Sequence, residues 1–216
     1  MAGALHMTSR WWLPVLDSPD TAAPHLAYEI VVIGCSLGGM HALEVILNAM
    51  PRNFCVPIAV VQHRHRASNE TLPSHFRQFS RLPVVDVDDK QWIRPGTVYL
   101  APANYHLLVE RGEFSLSVDE KVRYSRPSVD VLFQSAADAY GDRVIAVVLT
   151  GANDDGAEGV RRVKSRGGIV VVQDPATAEA PEMPRAAIAA ASVDRILPLD
   201  GIASYLVDRC AVSRNA

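Results

Sequence analysis

Four short stretches of this chain are apolar without alternation: EIVVIG (29–34), VPIAVVQH (56–63), VIAVVLTG (144–151) and IVVVQD (169–174). A strand with one face in water alternates apolar and polar residues, so runs of this kind must be buried on both faces. Helical patterns lie between them, at 38–50, at 128–141 with Gly141 as a C-terminal stop, and at 156–168, where a glycine pair ends the pattern. A further helix is expected over 72–79, and VVDV and TVYLAP read as shorter strands. HLLVERGEFSLSV reads as a hairpin turning at Arg111 and Gly112. Buried strands separated by helices require an α/β architecture with a largely parallel sheet covered on both faces, here with one antiparallel hairpin.

The chain has 216 residues, enough for one sizeable core. Pro14, Pro19 and Pro24 are spaced so that no helix runs through the first segment. Residues 1–27 therefore read as an N-terminal arm, held to the surface by Trp11 and Trp12, and 28–216 as the folded domain. A formal net charge of -3 and a pI near 6.1 give no basic footprint for nucleic acid. Cys35, Cys55 and Cys210 are odd in number and lack paired spacing, which indicates neither a disulfide framework nor a zinc site. No export signal and no membrane-spanning stretch is legible, so a cytoplasmic protein without membrane insertion is expected.

The turn GCSLGG after the first apolar run admits three chemistries. A phosphate-cradling Walker loop needs Lys followed by Ser or Thr, and Met40 and His41 stand there instead. A dinucleotide turn needs a bare middle glycine where this chain has Ser36, and an acidic residue where the second strand ends in His63. The same letters spell G-x-S-x-G over 34–38, a pattern that lifts a serine onto a tight strand-to-helix turn facing backbone N–H groups. A serine there can equally be a plain helix cap.

Two other strand ends favour the nucleophile. In open α/β sheets ligands bind beyond the carboxyl ends of the strands, and His63 follows the second strand as Ser36 follows the first. The third apolar run opens into TGANDDGAEG, bringing Asp154 and Asp155 to the same rim. A serine, an imidazole base and a carboxylate that orients the base then converge from three strand ends. His65 reads as solvated among arginines, His75 and His106 as structural, and Cys35 as a core-facing, inert thiol. No histidine follows His106, so the order Ser, His, Asp differs from that of the α/β-hydrolases.

The blocks VVIGCSLGG, VVQH, RPGTVYLAP followed by His106, SRPSVDVLF, VVLTG with DGAEG, and EMPRAAI are collinear over 28–200. In them the chain resembles the catalytic domain of the CheB family, the chemotaxis protein-glutamate methylesterases. The resemblance implies a doubly wound, mostly parallel sheet with a hairpin. It makes Ser36 the nucleophile, His63 the base and Asp155, which directly precedes Gly156, the orienting acid, with backbone N–H groups near Leu37 and Ala152 as oxyanion donors. It implies hydrolysis of glutamate methyl esters on the cytoplasmic helices of methyl-accepting chemoreceptors, release of methanol, deamidation of receptor glutamines in some members, and no metal or cofactor.

Three departures qualify these expectations. The family pattern TGMGNDG is TGANDDG here, placing Ala152, Asn153 and an added Asp154 at the oxyanion region. The stretch after His63, RHRASNETLPSHF, lacks the family's Met-Pro-Pro character, so substrate preference is expected to differ. Only about 27 residues precede the first strand, so control by phosphorylation of a receiver domain in cis is not expected, which leaves a constitutively accessible or a separately regulated esterase. The altered loop leaves a second reading open, a catalytically weakened domain that binds receptor helices as an adaptor.

Overall fold

In the computed structural model, which describes residues 28–63 and 72–211, the apolar runs become neighbouring strands. The arm at 1–27, with Trp11 and Trp12, and the segment containing His65 lie outside the described residues. In chain order the elements are β1 (Ile30–Cys35), α1 (Gly39–Ala49), β2 (Ile58–Gln62), α2 (Leu72–Phe76), β3 (Val84–Asp86) and β4 (Val98–Leu100). The hairpin β5 (His106–Val109) and β6 (Phe114–Ser117) follows, then α3 (Val129–Tyr140), β7 (Val144–Val148), α4 (Ala157–Ser165) and β8 (Ile169–Gln173). The last described elements are α5 (Glu182–Ala190), β9 (Arg195–Leu197) and α6 (Leu199–Cys210).

The sheet has seven strands in the order β3-β4-β2-β1-β7-β8-β9, with every neighbouring pair parallel. The chain winds outward from β1 in one direction through β2, then returns to lay β7 on the other flank of β1. Strand order therefore reverses between β1 and β7, and that switch point is where a crevice opens in such sheets.

Alternate residues of the central strands feed two separate cores. Val31, Ile33 and Cys35 of β1, with Ile145 and Val147 of β7, pack on α1 and α6 through Leu43, Ile46, Ile202 and Leu206. Ile30 and Val32, with Val144, Ala146 and Val148, pack on α3 and α4 through Leu132, Phe133, Val160 and Val163. The hairpin adds Leu107, Val109 and Phe114 to this second core. The sheet is doubly wound, mostly parallel and clothed on both faces, with the antiparallel hairpin apart from it.

The structure differs from the sequence reading in two places. The helix expected over 72–79 closes at Phe76, because the next amides fold back in tight turns: Gln78 N–H reaches the His75 carbonyl and Phe79 N–H the Phe76 carbonyl. The elements α5, β9 and α6 were not anticipated. β9 is three residues long with Arg195 and Ile196 exposed, so it carries no buried run to be read. Among the described residues no helix is long and apolar enough to cross a membrane.

Candidate active site

Ser36 leaves the carboxyl end of β1 in a turn built from backbone pairing. Its N–H donates to the Thr150 carbonyl just past β7 (2.9 Å), and its carbonyl accepts from Gln62 Nε2 (2.9 Å). Gly38 completes the turn at φ 77°, in the left-handed region that a side chain disfavours, and α1 begins at the next residue. A Cβ added at Gly151 would lie 2.0 Å from Met183 Sδ and 2.9 Å from Ser36 Cβ, so only a glycine lets the strand beyond β7 pass this close to the serine. His63 leaves β2 with its N–H bonded to the Cys35 carbonyl (3.0 Å). The residues before and at the two turns are thus tied together across the β1–β2 boundary.

The imidazole and the carboxylate meet. His63 Nε2 lies 2.8 Å from Asp155 Oδ2, and the Asp155 side chain is completely buried while that of His63 is 12% exposed. Asp155 accepts three more hydrogen bonds, each 2.9 Å long: Ser128 Oγ and Asp130 N–H on Oδ1, and Val129 N–H on Oδ2. Burial alone would raise its pKa. The His63 contact and the N–H groups of Asp130 and Val129 together outweigh burial and hold the carboxyl below its ordinary value. Those amides open α3, so Asp155 is an anion at a helix N-terminus as well as the partner of His63.

The arrangement is reciprocal. Asp130, in the first turn of α3, sends Oδ1 to the N–H groups of Gly156 (2.9 Å) and Gly159 (2.8 Å) at the start of α4. Burial pushes Asp130 above the ordinary carboxylate value, against the Gly159 hydrogen bond, and the neighbouring Asp155 charge adds to the rise while Arg123 opposes it. Arg123 donates from Nε to Asp130 (3.0 Å) and from Nη1 to Asp154. Asp154 is exposed and belongs to this surface ion pair, so the structure brings Asp155 and not Asp154 to the imidazole.

Ser36 and His63 line one cavity of about 430 Å³, with Lys121, Tyr124, Arg126 and Asn153 among its other walls. No hydrogen bond joins the Ser36 hydroxyl to His63. The second imidazole nitrogen, Nδ1, instead faces Asn153 Nδ2 at 3.3 Å. Asn153 Oδ1 accepts the Asp155 N–H (3.1 Å), so one carboxamide spans the imidazole and the residue that holds it. A family model described as CheB methylesterase matches residues 31–206 of the sequence.

The chain belongs to the CheB methylesterase family. A relative from Leptospira interrogans, bearing a provisional protein-glutamate methylesterase/protein-glutamine glutaminase name, is 46% identical over 181 residues, covering 83% of this chain and 94% of its own. A protein of Anaeromyxobacter dehalogenans named protein-glutamate methylesterase/protein-glutamine glutaminase 2 is 45% identical over 183 residues, but this chain spans only 54% of it. The crystal structure of the Thermotoga maritima CheB methylesterase catalytic domain superposes with a TM-score of 0.80 at 36% identity, covering 84% of this chain and 98% of that one.

The other candidate residues of this CheB-family chain occupy structural positions. His75 pairs with Glu44 at 2.6 Å, and His106 is buried with Nε2 at 3.0 Å from the Glu120 carbonyl. Cys35 faces the core, donating to Gln62 Oε1 (3.0 Å), and burial pushes its thiol far above the ordinary value. Among the described residues the backbone amides of Leu37 and Ala152 have no acceptor, while those of Ser36 and Gly151 are spent on the Thr150 and Ala180 carbonyls. Ser128, Asp130 and Asn153 were given no role from the sequence. Ser-Val-Asp ahead of an apolar helical run is a legible helix-start signal. What it caps, from 25 residues or more away, is not.

Proposed function

We propose that this chain is a serine esterase that hydrolyses glutamate methyl esters on the cytoplasmic helices of chemoreceptors, releasing methanol, and deamidates receptor glutamines at the same site. The observation that carries this reading is the His63–Asp155 pair, 2.8 Å apart, in the cavity that Ser36 also lines.

Asp155 accepts the Nε2 hydrogen and so fixes the tautomer, leaving Nδ1 as the base. Ser36 Oγ attacks the ester carbonyl as Nδ1 takes its proton. The carbonyl oxygen becomes an oxyanion, and the Leu37 and Ala152 amides, which donate to no acceptor among the described residues, are the donors this reading assigns to it. Collapse of that intermediate expels methanol with the proton returned from His63, and water, activated by the same nitrogen, hydrolyses the acyl-enzyme. Base catalysis of this kind contributes about 10²–10⁴-fold, and each oxyanion donor about 10²–10³-fold. Lys121 and Arg126 line the same cavity as the serine and bring positive charge to it, which suits a helix rich in glutamate.

The test is methanol release from methylated receptor membranes by wild type and by Ser36→Ala. Loss of release in the variant is expected. Equal release would overturn the esterase reading, and absence of release from both, with receptor helices still bound, would favour the adaptor reading that the Asn153–His63 contact suggests.

A further inference from the structure

The carboxamide of Asn153 occupies the one nitrogen that the proposed mechanism needs free. Its orientation is fixed by chemistry. The Asp155 N–H must meet an oxygen, so Oδ1 lies there and the amide nitrogen is turned to His63. Asp155 takes Nε2 of the imidazole, so the lone pair on Nδ1 is the only site that can receive a serine proton, and Asn153 Nδ2 stands 3.3 Å from it. Ser36 shares the cavity with both groups, yet its hydroxyl is not bonded to the ring.

We propose that Asn153 is a latch on the base: in the resting enzyme its amide holds His63 Nδ1, and Ser36 is activated only when that contact gives way. The inference rests on the reading of Ser36 and His63 as nucleophile and base. Asn153 is a positioning residue in this scheme, acting through His63. At 3.3 Å the bond is at the long end of the useful range, so it is weak enough to exchange. Asn153 is half-buried and forms part of the cavity wall, so a carbonyl entering the cavity offers its N–H a replacement acceptor. Occupancy then releases the base, and an empty site keeps it engaged. A neutral hydrogen bond of this kind sets an effect on the order of 2- to 10-fold on the reactivity of Ser36.

The experiment uses a small alkyl fluorophosphonate on the full chain, followed by intact-mass spectrometry. Ser36 Oγ bonds to phosphorus, the P–F bond breaks, fluoride leaves and the serine proton goes to His63 Nδ1. Asn153→Gly and Asn153→Ala are expected to label about 2- to 10-fold faster than wild type. Asn153→Asp keeps an oxygen on the Asp155 N–H but turns a second acceptor toward the imidazole lone pair. That repulsion is relieved only by protonating Nδ1, which consumes the base, so this variant is expected to label more slowly than wild type. A residue that merely braces the loop gives the opposite pattern, with the Gly and Ala variants slower and the Asp variant unchanged, and that result overturns the latch. So does unfolding of both the Gly and Ala variants, read by circular dichroism. Ser36→Ala controls for the site: wild type labelled no faster than this variant would overturn the esterase reading and the latch with it, whereas labelling at Ser36 without acceleration in Asn153→Gly overturns the latch alone.

Discussion

Asp155 serves two purposes with one charge. Its carboxylate receives His63 on one side and the opening amides of α3 on the other, and it is held ionised to lower pH than in the unfolded chain. The sign of the linkage follows. Stability from this group is complete above the ordinary value of 3.8 and is lost as pH falls through the lower value of the folded protein. Asp155→Asn should therefore melt below wild type near neutrality, with the gap narrowing only below about pH 4 in denaturant titrations run across pH. The same variant should lose about 10³–10⁴-fold in methanol release, because the amide no longer selects the tautomer that leaves Nδ1 free. The rim positions of Ser36, His63 and the Asp154–Asp155 pair were legible because each follows an apolar run that had to be a buried strand, whereas the choice of Asp155 over Asp154 came from the family resemblance. Asn153 was legible only as a departure from a pattern, since its role depends on which imidazole nitrogen Asp155 takes.

Two helices start by borrowing each other's anions. Asp155, from the turn before α4, caps α3, and Asp130, from α3, caps α4. The α3 start is pressed against β1 at Gly34, where an added Cβ would meet Val129 Cγ1 at 2.2 Å. Gly34→Ala should lower the unfolding free energy by about 1–3 kcal/mol through overpacking, measured by urea denaturation. A variant as stable as wild type would show that the α3 start can recede. At this scale the strong elements were readable from periodicity and glycine stops, as with α3 ending at Gly141. The unread elements have a common cause: α5, β9 and α6 lie beyond the last buried strand, where β9 is exposed on its first two residues and no long apolar run marks a boundary.

Across the whole molecule, the reversal of strand order beside β1 brings three loops that are distant in sequence to one rim, and the two cores on either side of the sheet hold that rim still. Every residue of β1 and β7 is buried, whereas β3 and β9 are the sheet's edges. Native-state hydrogen exchange should find the β1 and β7 amides opening only with global unfolding, and those of β9 opening at lower free energy. Equal protection across the sheet would contradict this ordering. The reciprocal capping of α3 and α4 carries a consequence for descent. A lineage released from selection for catalysis is free to discard its serine at little harm to folding, but discarding the acid would loosen two helices at once. Retired copies of this domain should therefore keep Asp155 as masonry long after Ser36 has drifted away.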